Sequence, residues 1–267
     1  MSDTRFSVKD VWTDLPCGKM YAMCGVPSRD VGSNVPLVLV HGLGMSHRYM
    51  RPALEIFAAD FMTYAVDLPG FGRSEKPARV LNVNALSESL RAWLDANDIA
   101  RAVFIANSFG CQICAHLAAG EASPVARLVL IAPTIDPDAR TVRQQLFRLA
   151  MDAPHESPSL MWLAFREYFF VTGFRRAYRT LRIALADHIE ERLPHIAAQT
   201  LVIRGEHDTL VPEAWGRRVA AMMPHARFVT VEDAAHAINY SAPEAFARVV
   251  TPFIESAFVE TSLSDEA

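Results

Sequence analysis

Cysteine, charge imbalance and long apolar runs are all scarce in this sequence. Its 267 residues include only four cysteines, too few for the disulfide framework of a secreted scaffold. Twenty-six Lys and Arg against 30 Asp and Glu leave a formal net charge of -4, so no nucleic-acid-binding surface is expected. The N-terminus lacks a basic stretch followed by an apolar one, and no apolar run reaches roughly 18 residues. These absences predict a cytoplasmic protein without a membrane span.

Signals for metal and nucleotide binding are equally sparse. Cys111 and Cys114 form a C-x-x-C pair, but no second Cys or His pair lies at zinc spacing. We therefore expect these two cysteines to pack within a helix. The turn HGLGM after residue 40 lacks the Lys and Ser/Thr of a nucleotide-binding loop. The sequence predicts neither a metal nor an organic cofactor.

Short apolar runs alternate with longer helical patterns along the chain. With 51% apolar and 21% charged residues, the sequence can build one large core. Continuous Val, Ile and Leu runs separated by helices are typical of strands buried on both faces of a mostly parallel sheet. A less regular strand pair is expected at 5–26. Further strands are predicted at 36–40, 62–67, 101–107, 126–133, 200–208 and 226–233, and helices at 47–59, 83–98, 109–120 and 242–257.

The alternation stops between residues 134 and 197, where helical spacing dominates and no strand is predicted. We therefore expect one α/β core formed by residues 1–133 and 198–259, with 134–197 inserted as a helical lid. The polar and acidic residues 260–267 are expected to form a disordered tail.

A serine stands where a buried strand turns directly into a helix. The strand VFIAN is followed by Ser108 and then by a helical segment. Such a turn lifts the hydroxyl out of the sheet and points a helix N-terminus toward it. The turn needs small residues two positions before and after, which here are Ala106 and Gly110, although Gly is usual at both. Because serine before a helix is also a common N-cap, the other parts of the site must decide its role.

A serine nucleophile needs a base and an acid, and both types stand at later strand ends. The base takes the hydroxyl proton, and the acid fixes the tautomer of the base. Asp208 follows the strand TLVIRG and His236 follows RFVTV, which gives the chain order Ser, Asp, His. Asp136 and Asp138 follow the strand LVLIAP and are rival acids. The position of its loop favours Asp208.

A glycine-rich turn after the first buried strand supplies backbone donors. The turn HGLGM contains His41, Gly42 and Leu43. Its free N–H groups can face a ligand, and the amides of Leu43 and Phe109 can together hold a developing oxyanion. We expect His41 to brace the loop rather than act as a second base, because no partner for it is evident. Gly42 and Gly110 are expected to support the site.

Together these segments resemble the α/β-hydrolase superfamily, in its lid-bearing branch of serine esterases, cofactor-free haloperoxidases and carbon-carbon hydrolases. The resemblance implies a mostly parallel, eight-stranded α/β sheet flanked by helices, with an inserted helical lid. It also implies Ser108 as nucleophile, His236 as base, Asp208 as acid, and Leu43 and Phe109 as oxyanion donors. The matching segments are VLVHGLGM, VDLPGFGRSEKP, ANSFG, LVLIAPT, IRGEHDTLVP and AAHAINYSAPEAF, in the family's order across residues 36–257.

Departures from related patterns narrow the predicted reaction. Dehalogenases and epoxide hydrolases of the superfamily place Asp at the elbow, so Ser108 argues against both. Hydrolases of ring-cleavage products commonly carry Trp after the catalytic histidine, where this chain has Ala237. The prediction is hydrolysis of a carboxylic ester through an acyl-enzyme. A carbon-carbon hydrolase of a diketone-type substrate and an acyltransferase are the alternatives, and a ligand receptor on the same fold is the alternative from another class.

Aromatic and arginine residues are concentrated in the expected lid. Eight of the 25 aromatic residues fall within 134–197. Most should pack the lid against itself and a few should face the serine, so we expect a small-molecule substrate with an apolar or aromatic acyl group. The stretch 139–182 also holds eight arginines against three acidic residues. Arg175, Arg179 and Arg182 lie away from the apolar stripe of their helix, which favours solvated charge over recognition of a substrate carboxylate.

Overall fold

An eight-stranded sheet forms the centre of the molecule. The computed structural model describes residues 5–29 and 35–264. The strand order is β1-β2-β4-β3-β5-β6-β7-β8, and β2 pairs antiparallel with both β1 and β4 while all other pairs are parallel. The predicted mostly parallel, eight-stranded sheet is therefore confirmed. The strands are β1 (Phe6–Leu15), β2 (Gly18–Pro27), β3 (Leu37–Val40), β4 (Thr63–Asp67), β5 (Ala102–Asn107), β6 (Val125–Ile131), β7 (Thr200–Gly205) and β8 (Ala226–Val231).

Helices cover the sheet and connect its parallel strands. The predicted helices begin where expected, within one residue, and the first three end two residues earlier than predicted. The helices are α1 (His47–Phe57), α2 (Val83–Ala96), α3 (Phe109–Ala118), α4 (Val142–Asp152), α5 (Pro158–Arg166), α6 (Phe174–Ala186), α7 (Glu213–Ala221), α8 (Ile238–Ser241) and α9 (Pro243–Ser264). None of the helices in the described part of the chain combines the length and the apolar composition of a membrane span.

The most apolar strands lie in the interior of the sheet. Every residue of β3, β5 and β7 is buried, as expected for strands with helices on both faces. In chain order, β3 is the first of the parallel strands. Its two neighbours in the sheet are β4 on one side and β5 on the other. The winding therefore reverses beside β3. In open α/β sheets, ligands bind at the carboxyl ends of strands next to such a reversal.

The segment between β6 and β7 is helical and contains no strand. We refer to residues 134–197 as the insertion. Its first long helix, α4, begins with a capping box in which Thr141 and Gln144 satisfy each other's backbone N–H groups. Ser157 caps α5, whose first residue is Pro158. Residues 167–171 extend α5 as a π-helical turn.

Several strand ends and the tail differ from the sequence-based expectation. The strands predicted at 126–133 and 226–233 end two residues early, at Ile131 and Val231. The strand predicted at 200–208 ends at Gly205, which leaves Glu206–Asp208 in a loop. The tail expected to be disordered from residue 260 continues α9 through Ser264, because extending an existing helix costs far less than nucleating one. Residues 265–267 of that tail lie outside the described residues.

Candidate active site

Ser108 occupies a strained turn between β5 and α3. Its φ of 54° and ψ of -117° are unusual for a residue with a side chain, and such strain is common at functional sites. Its side chain makes no capping hydrogen bond to α3, although it precedes that helix. Ser108 therefore occupies the N-cap position of α3 without using its hydroxyl as a cap. The backbone of the turn is held by hydrogen bonds from Ser108 N to Ile131 O and from Cys111 N to Ser108 O, both 2.9 Å.

The small residues around Ser108 allow β3 to approach the turn. A Cβ on Gly110 would lie 2.7 Å from the Val40 carbonyl oxygen, so only glycine fits there. Ala106, where the family usually has glycine, is fully buried in β5. Its carbonyl accepts a hydrogen bond from the Cys111 thiol at 3.2 Å. Cys111 and Cys114 are both free and buried in α3, which agrees with the packing role expected for them.

Asp208 and His236 meet at the carboxyl ends of β7 and β8. His236 Nδ1 lies 3.1 Å from Asp208 Oδ2. The other carboxylate oxygen of Asp208 accepts hydrogen bonds from the N–H groups of Leu210 and Val211, both 2.9 Å. Gly205 permits this approach, because a Cβ there would lie 2.3 Å from the carbonyl oxygens of the chain leading to His236. Asp208 is therefore fixed in position and orients the imidazole ring.

Two carboxylates from the insertion add to the negative charge around His236. Burial disfavours the charged imidazole and lowers its pKa, but Asp208, Asp152 and Glu156 outweigh this effect and raise the pKa of His236 from 6.5 to about 9. Asp152 is itself buried, and mainly for that reason its pKa rises to about 7. The sequence alone does not single out Asp152 or Glu156 as a site residue.

Glu156 also holds the backbone next to His236. Its carboxylate accepts hydrogen bonds from Ala237 N and Ser241 Oγ, both 2.6 Å. On the other side, Asn107 Nδ2 donates to the His236 carbonyl at 3.3 Å. The loop that carries His236 is therefore fixed by the insertion and by the residue that precedes Ser108.

The glycine-rich turn after β3 is braced from within by His41. Its Nδ1 lies 2.8 Å from the Gly42 carbonyl oxygen, and its Nε2 accepts a hydrogen bond from Leu68 N at 3.2 Å. Both ring nitrogens are thus engaged, and burial lowers the pKa of His41, which favours the neutral ring. A Cβ on Gly42 would lie 3.3 Å from Ser108 Cβ, so the turn runs directly beside the serine. His41 therefore links the glycine-rich turn to the chain that follows β4.

The insertion also contacts the glycine-rich turn after β3. Tyr168 Oη donates to the Leu43 carbonyl at 2.8 Å, and Thr172 Oγ1 donates to the Gly44 carbonyl at 2.9 Å. Gly44 has a φ of 75°, and a Cβ there would lie 2.4 Å from the Tyr168 ring. These contacts tie the carbonyls of the turn to the insertion, and Leu43 and Met45 of the turn line the cavity described below.

A further turn begins at Asp67, the last residue of β4, and is held by its own hydrogen bonds. Asp67 accepts hydrogen bonds from the backbone N–H groups of His47 and Arg73, at 2.5 and 2.7 Å. A Cβ on Gly72 would lie 2.0 Å from the Asp67 carboxylate. Ser74 Oγ donates to the Asp67 carbonyl at 2.6 Å. These contacts fix the chain between β4 and α2, and none of these residues belongs to the lining of the cavity that contains Ser108.

Ser108 and His236 line one cavity of about 520 Å³, a size typical of small-molecule sites. The turn after β3 and helices α4, α5 and α6 enclose it. The polar side chains in its lining are Tyr49, Asn107, Ser108, Thr134, Gln145, Asp152, Glu156, Tyr168, Tyr178 and His236. The apolar lining includes Leu43, Met45, Phe109, Ile135, Val142, Leu146, Leu149, Leu160, Met161, Phe165, Phe169, Phe174, Leu181 and Leu210. No Lys or Arg among the described residues contributes to it.

The remaining candidate residues lie elsewhere. Asp136 pairs with Arg148 at 2.8 Å, and Asp138 is exposed; neither lines the cavity. Arg175, Arg179 and Arg182 are exposed and also lie outside the lining. Metal-ligating atoms of Glu206, His207 and Asp233 lie within 4.8 Å of one another, but all three residues are exposed and outside the cavity.

This sheet order, with a strained serine turn at the end of a central parallel strand, defines a hydrolase of the α/β fold. Residues 37–249 match the sequence profile of the alpha/beta hydrolase family, and the chain belongs to that family.

Several known proteins share its sequence or fold. The dihydrolipoyllysine-residue acetyltransferase component of the acetoin cleaving system of Pseudomonas putida is 29% identical over 78% of this chain, which spans only 60% of that relative. The 2-hydroxymuconate semialdehyde hydrolase of Pseudomonas sp. (strain CF600) is 26% identical, over 85% of this chain and 89% of its own. The enol-lactonase of Burkholderia xenovorans LB400 superposes with a TM-score of 0.75 at 25% identity, covering 92% of this chain and all of its own.

Proposed function

We propose that the protein is a serine hydrolase that cleaves a small to medium carboxylic ester with an apolar or aromatic acyl group. One observation carries the proposal: Ser108, on a strained turn, shares a cavity with His236, whose Nδ1 is held by Asp208. A protein that only binds a ligand has no need of a serine, a base and an acid arranged in this way. The receptor alternative is therefore disfavoured.

The reaction proceeds through an acyl-enzyme. Ser108 Oγ attacks the ester carbonyl carbon while His236 Nε2 accepts the hydroxyl proton. The oxygen of the tetrahedral intermediate accepts hydrogen bonds from the N–H groups of Leu43 and Phe109. His236 then donates its proton to the departing alkoxide. A water molecule, activated by His236 in turn, attacks the acyl-enzyme and releases the carboxylic acid and Ser108.

The cavity favours an uncharged acyl group. Its walls are mainly apolar and aromatic, and its charged side chains near His236 are the acidic Asp152 and Glu156. A substrate carboxylate would meet these two groups without a Lys or Arg in the lining to pair with it. We propose that the insertion acts as the lid that provides these walls and so selects the acyl group.

The names of the relatives support keeping two alternatives, carbon-carbon hydrolysis and acyl transfer. They also suggest a cyclic ester as a form of the proposed substrate. One relative is named as a semialdehyde hydrolase and another as an acetyltransferase component. A lactone, the substrate named for the enol-lactonase, is a cyclic ester, and the same acyl-enzyme chemistry opens it. Carbon-carbon hydrolysis and acyl transfer differ from ester hydrolysis in the bond that is broken or in the acceptor of the acyl group.

A fluorophosphonate probe followed by a series of nitrophenyl esters tests the proposal. We expect stoichiometric labelling that Ser108→Ala abolishes, and repeated turnover of esters. At a fixed leaving group, hexanoyl and benzoyl esters should react faster than acetyl, with little dependence on salt, and succinyl slowest. Labelling without turnover would support a receptor, and a salt-sensitive preference for succinyl would assign arginines to the substrate. Faster cleavage of a diketone, or acyl transfer to an added amine or thiol, would favour the alternatives.

The predicted cytoplasmic location is part of the same proposal. All four cysteines are free, including Cys111 and Cys114, which are three residues apart in α3. Free thiols are typical of reducing compartments. A fusion to a fluorescent protein, followed by cell fractionation, would test this location.

A further inference from the structure

The insertion exposes far more apolar surface than the rest of the molecule. Thirteen large apolar side chains are exposed in the part of the chain that the structure describes, and all but Val8 and Trp12 lie between residues 146 and 178. Single exposed apolar side chains are normal on protein surfaces. A contiguous group of them marks a binding surface or an aggregation hazard.

Five of these side chains form a continuous group, which we call the aromatic patch. Ring centroids of Trp162 and Phe165 lie 5.6 Å apart, and Phe165 lies 4.9 Å from Phe169 and 5.8 Å from Phe170. Phe169 and Phe174 extend the series at 6.5 Å. Because all five rings are exposed and neighbouring rings touch, the patch presents one apolar surface to the solvent.

The cavity explains only part of this patch. Phe165, Phe169 and Phe174 contribute to the cavity lining, whereas Trp162 and Phe170 do not. Trp162 is 68% exposed and Phe170 74% exposed. A small substrate inside the cavity would leave both side chains in water. Their exposure therefore calls for a larger apolar partner outside the cavity.

The surface around the patch is cationic. Arg166 follows Phe165 in α5, and Arg175 follows Phe174 in α6; with Arg179 they are exposed and form no salt bridge within the described residues. From the start of α5 to the end of α6, the one acidic residue is Glu167, and it is fully buried. Exposed aromatic rings flanked by unpaired arginines are the side chains that suit the boundary between lipid headgroups and acyl chains.

We propose that the aromatic patch and its flanking arginines dock the protein on an anionic lipid surface. The rings would enter the headgroup boundary, and the guanidinium groups would pair with lipid phosphates. A second copy of the chain is the competing occupant. A symmetric dimer through this patch would bring two sets of unpaired arginines together, and such like-charge contacts are repulsive. Charge complementarity therefore favours the lipid.

Docking in this orientation would connect the lipid to the cavity. Phe165, Phe169 and Phe174 belong both to the aromatic patch and to the cavity lining. An apolar molecule dissolved in the lipid would therefore meet a continuous apolar path toward Ser108. This consequence rests on the proposed ester chemistry, whereas docking itself does not.

Vesicle sedimentation of the full chain tests the proposal, with Ser108→Ala present to prevent turnover. The vesicles contain phosphatidylcholine alone, or equal parts of phosphatidylcholine and phosphatidylglycerol. At low salt we expect binding to the anionic vesicles to be at least about tenfold stronger than to the neutral ones, and high salt should remove most of the difference. The double variant Trp162→Ser, Phe170→Ser should bind about tenfold more weakly or worse. The matched double variant Val8→Ser, Trp12→Ser on β1 should bind normally.

Fluorescence quenching by brominated phosphatidylcholine locates the contact. Brominated vesicles should quench the parent protein, and Trp162→Phe should bind equally well but lose that quenching. Circular dichroism melting shows whether each variant is folded. The proposal would be overturned if the double variant Trp162→Ser, Phe170→Ser bound vesicles normally. It would also be overturned if the double variant on β1 lost binding to the same extent. Dimerisation that requires the patch, without vesicle binding, would assign it to a second copy. Turnover of soluble esters, measured separately with Ser108 intact, distinguishes these failures from failure of the proposed function.

Discussion

The sheet buries its apolar residues, whereas the insertion exposes many of its own. Every residue of β3, β5 and β7 is buried, while most of the exposed large apolar side chains of the described chain belong to the insertion. Burial of apolar surface stabilises the sheet and makes its strand ends rigid. The insertion exposes apolar surface at a cost to the isolated protein, which points to contact with a ligand or a larger surface.

The two regions also contribute different parts of the candidate site. Ser108, Asp208 and His236 follow strands of the sheet. The insertion contributes Asp152 and Glu156 near His236. It also ties down the turn after β3 through Tyr168 and Thr172 and the His236 loop through Glu156. Under the proposed function, the sheet carries the groups that break the ester bond, and the insertion sets the pH range and the choice of substrate.

Loss of Ser108, the proposed nucleophile at the end of β5, should have the largest effect. Ser108→Ala is expected to reduce turnover of a nitrophenyl ester by on the order of a millionfold, because no other group then attacks the carbonyl. Its thermal unfolding midpoint should barely change, since only a hydroxyl is removed. The matched variant Ser159→Ala, at an exposed serine of the insertion, should retain full activity. An undiminished rate in Ser108→Ala would remove the serine from the mechanism.

Loss of Asp208, the proposed acid, should have the next largest effect. Asp208→Asn leaves His236 in place but favours the wrong tautomer, so we expect a roughly ten-thousandfold fall in turnover. Asp136→Asn is the control, because Asp136 pairs with Arg148 outside the cavity, and it should change turnover only slightly. The opposite result would move the acid to the loop after β6. Steady-state kinetics of both purified variants on one ester decides between them.

The sequence predicts the sheet well because its signals are local. Continuous apolar runs define buried strands, and the order of Ser108, Asp208 and His236 along the chain suggests where the site lies. It does not single out Asp152 or Glu156. Asp152 is the last residue of α4, and Glu156 lies in the bend between α4 and α5. Neither position indicates from the sequence that its side chain faces the cavity, and acidic residues are usually solvated. Their contacts join positions far apart in the chain, such as Glu156 and Ala237, so only the folded structure reveals them.

Removal of the Glu156 side chain tests whether the insertion positions the base. Glu156→Ala loses the acceptor for Ala237 N and Ser241 Oγ, and a small displacement of His236 should lower kcat by up to about a hundredfold. Glu156→Gln keeps an acceptor oxygen and should lose much less. Equal losses in both variants would show that the charge matters rather than the hydrogen bonds. The kcat and KM of each variant, measured above the pKa of His236, separate positioning from substrate binding.

The charge of Asp152 should affect the pH profile more than the maximal rate. His236 accepts a proton only when neutral, so kcat/KM should rise with pH toward about 9, the pKa of His236. Asp152→Asn removes a negative charge that favours the imidazolium. The pKa of His236 should then fall, and the rising limb should move to lower pH by roughly one unit or less. Asp138→Asn removes the same charge from an exposed position and should leave the limb in place. If the rising part of the pH profile stayed in place in Asp152→Asn, the charge of Asp152 would have no effect on the pKa of His236.

The smallest effect is expected from a change at the exposed surface of the insertion. Phe170 is exposed and lies outside the cavity lining, so Phe170→Ala should change the free energy of unfolding by no more than about 0.5 kcal/mol and leave turnover of soluble esters intact. Leu201 in β7 is fully buried, and Leu201→Ala should cost about 2–5 kcal/mol through lost contacts and the cavity left behind. Denaturant titration of both variants measures the two costs side by side. A large loss in Phe170→Ala would mean that the aromatic patch stabilises the fold, and the contrast between sheet and insertion would then be one of degree.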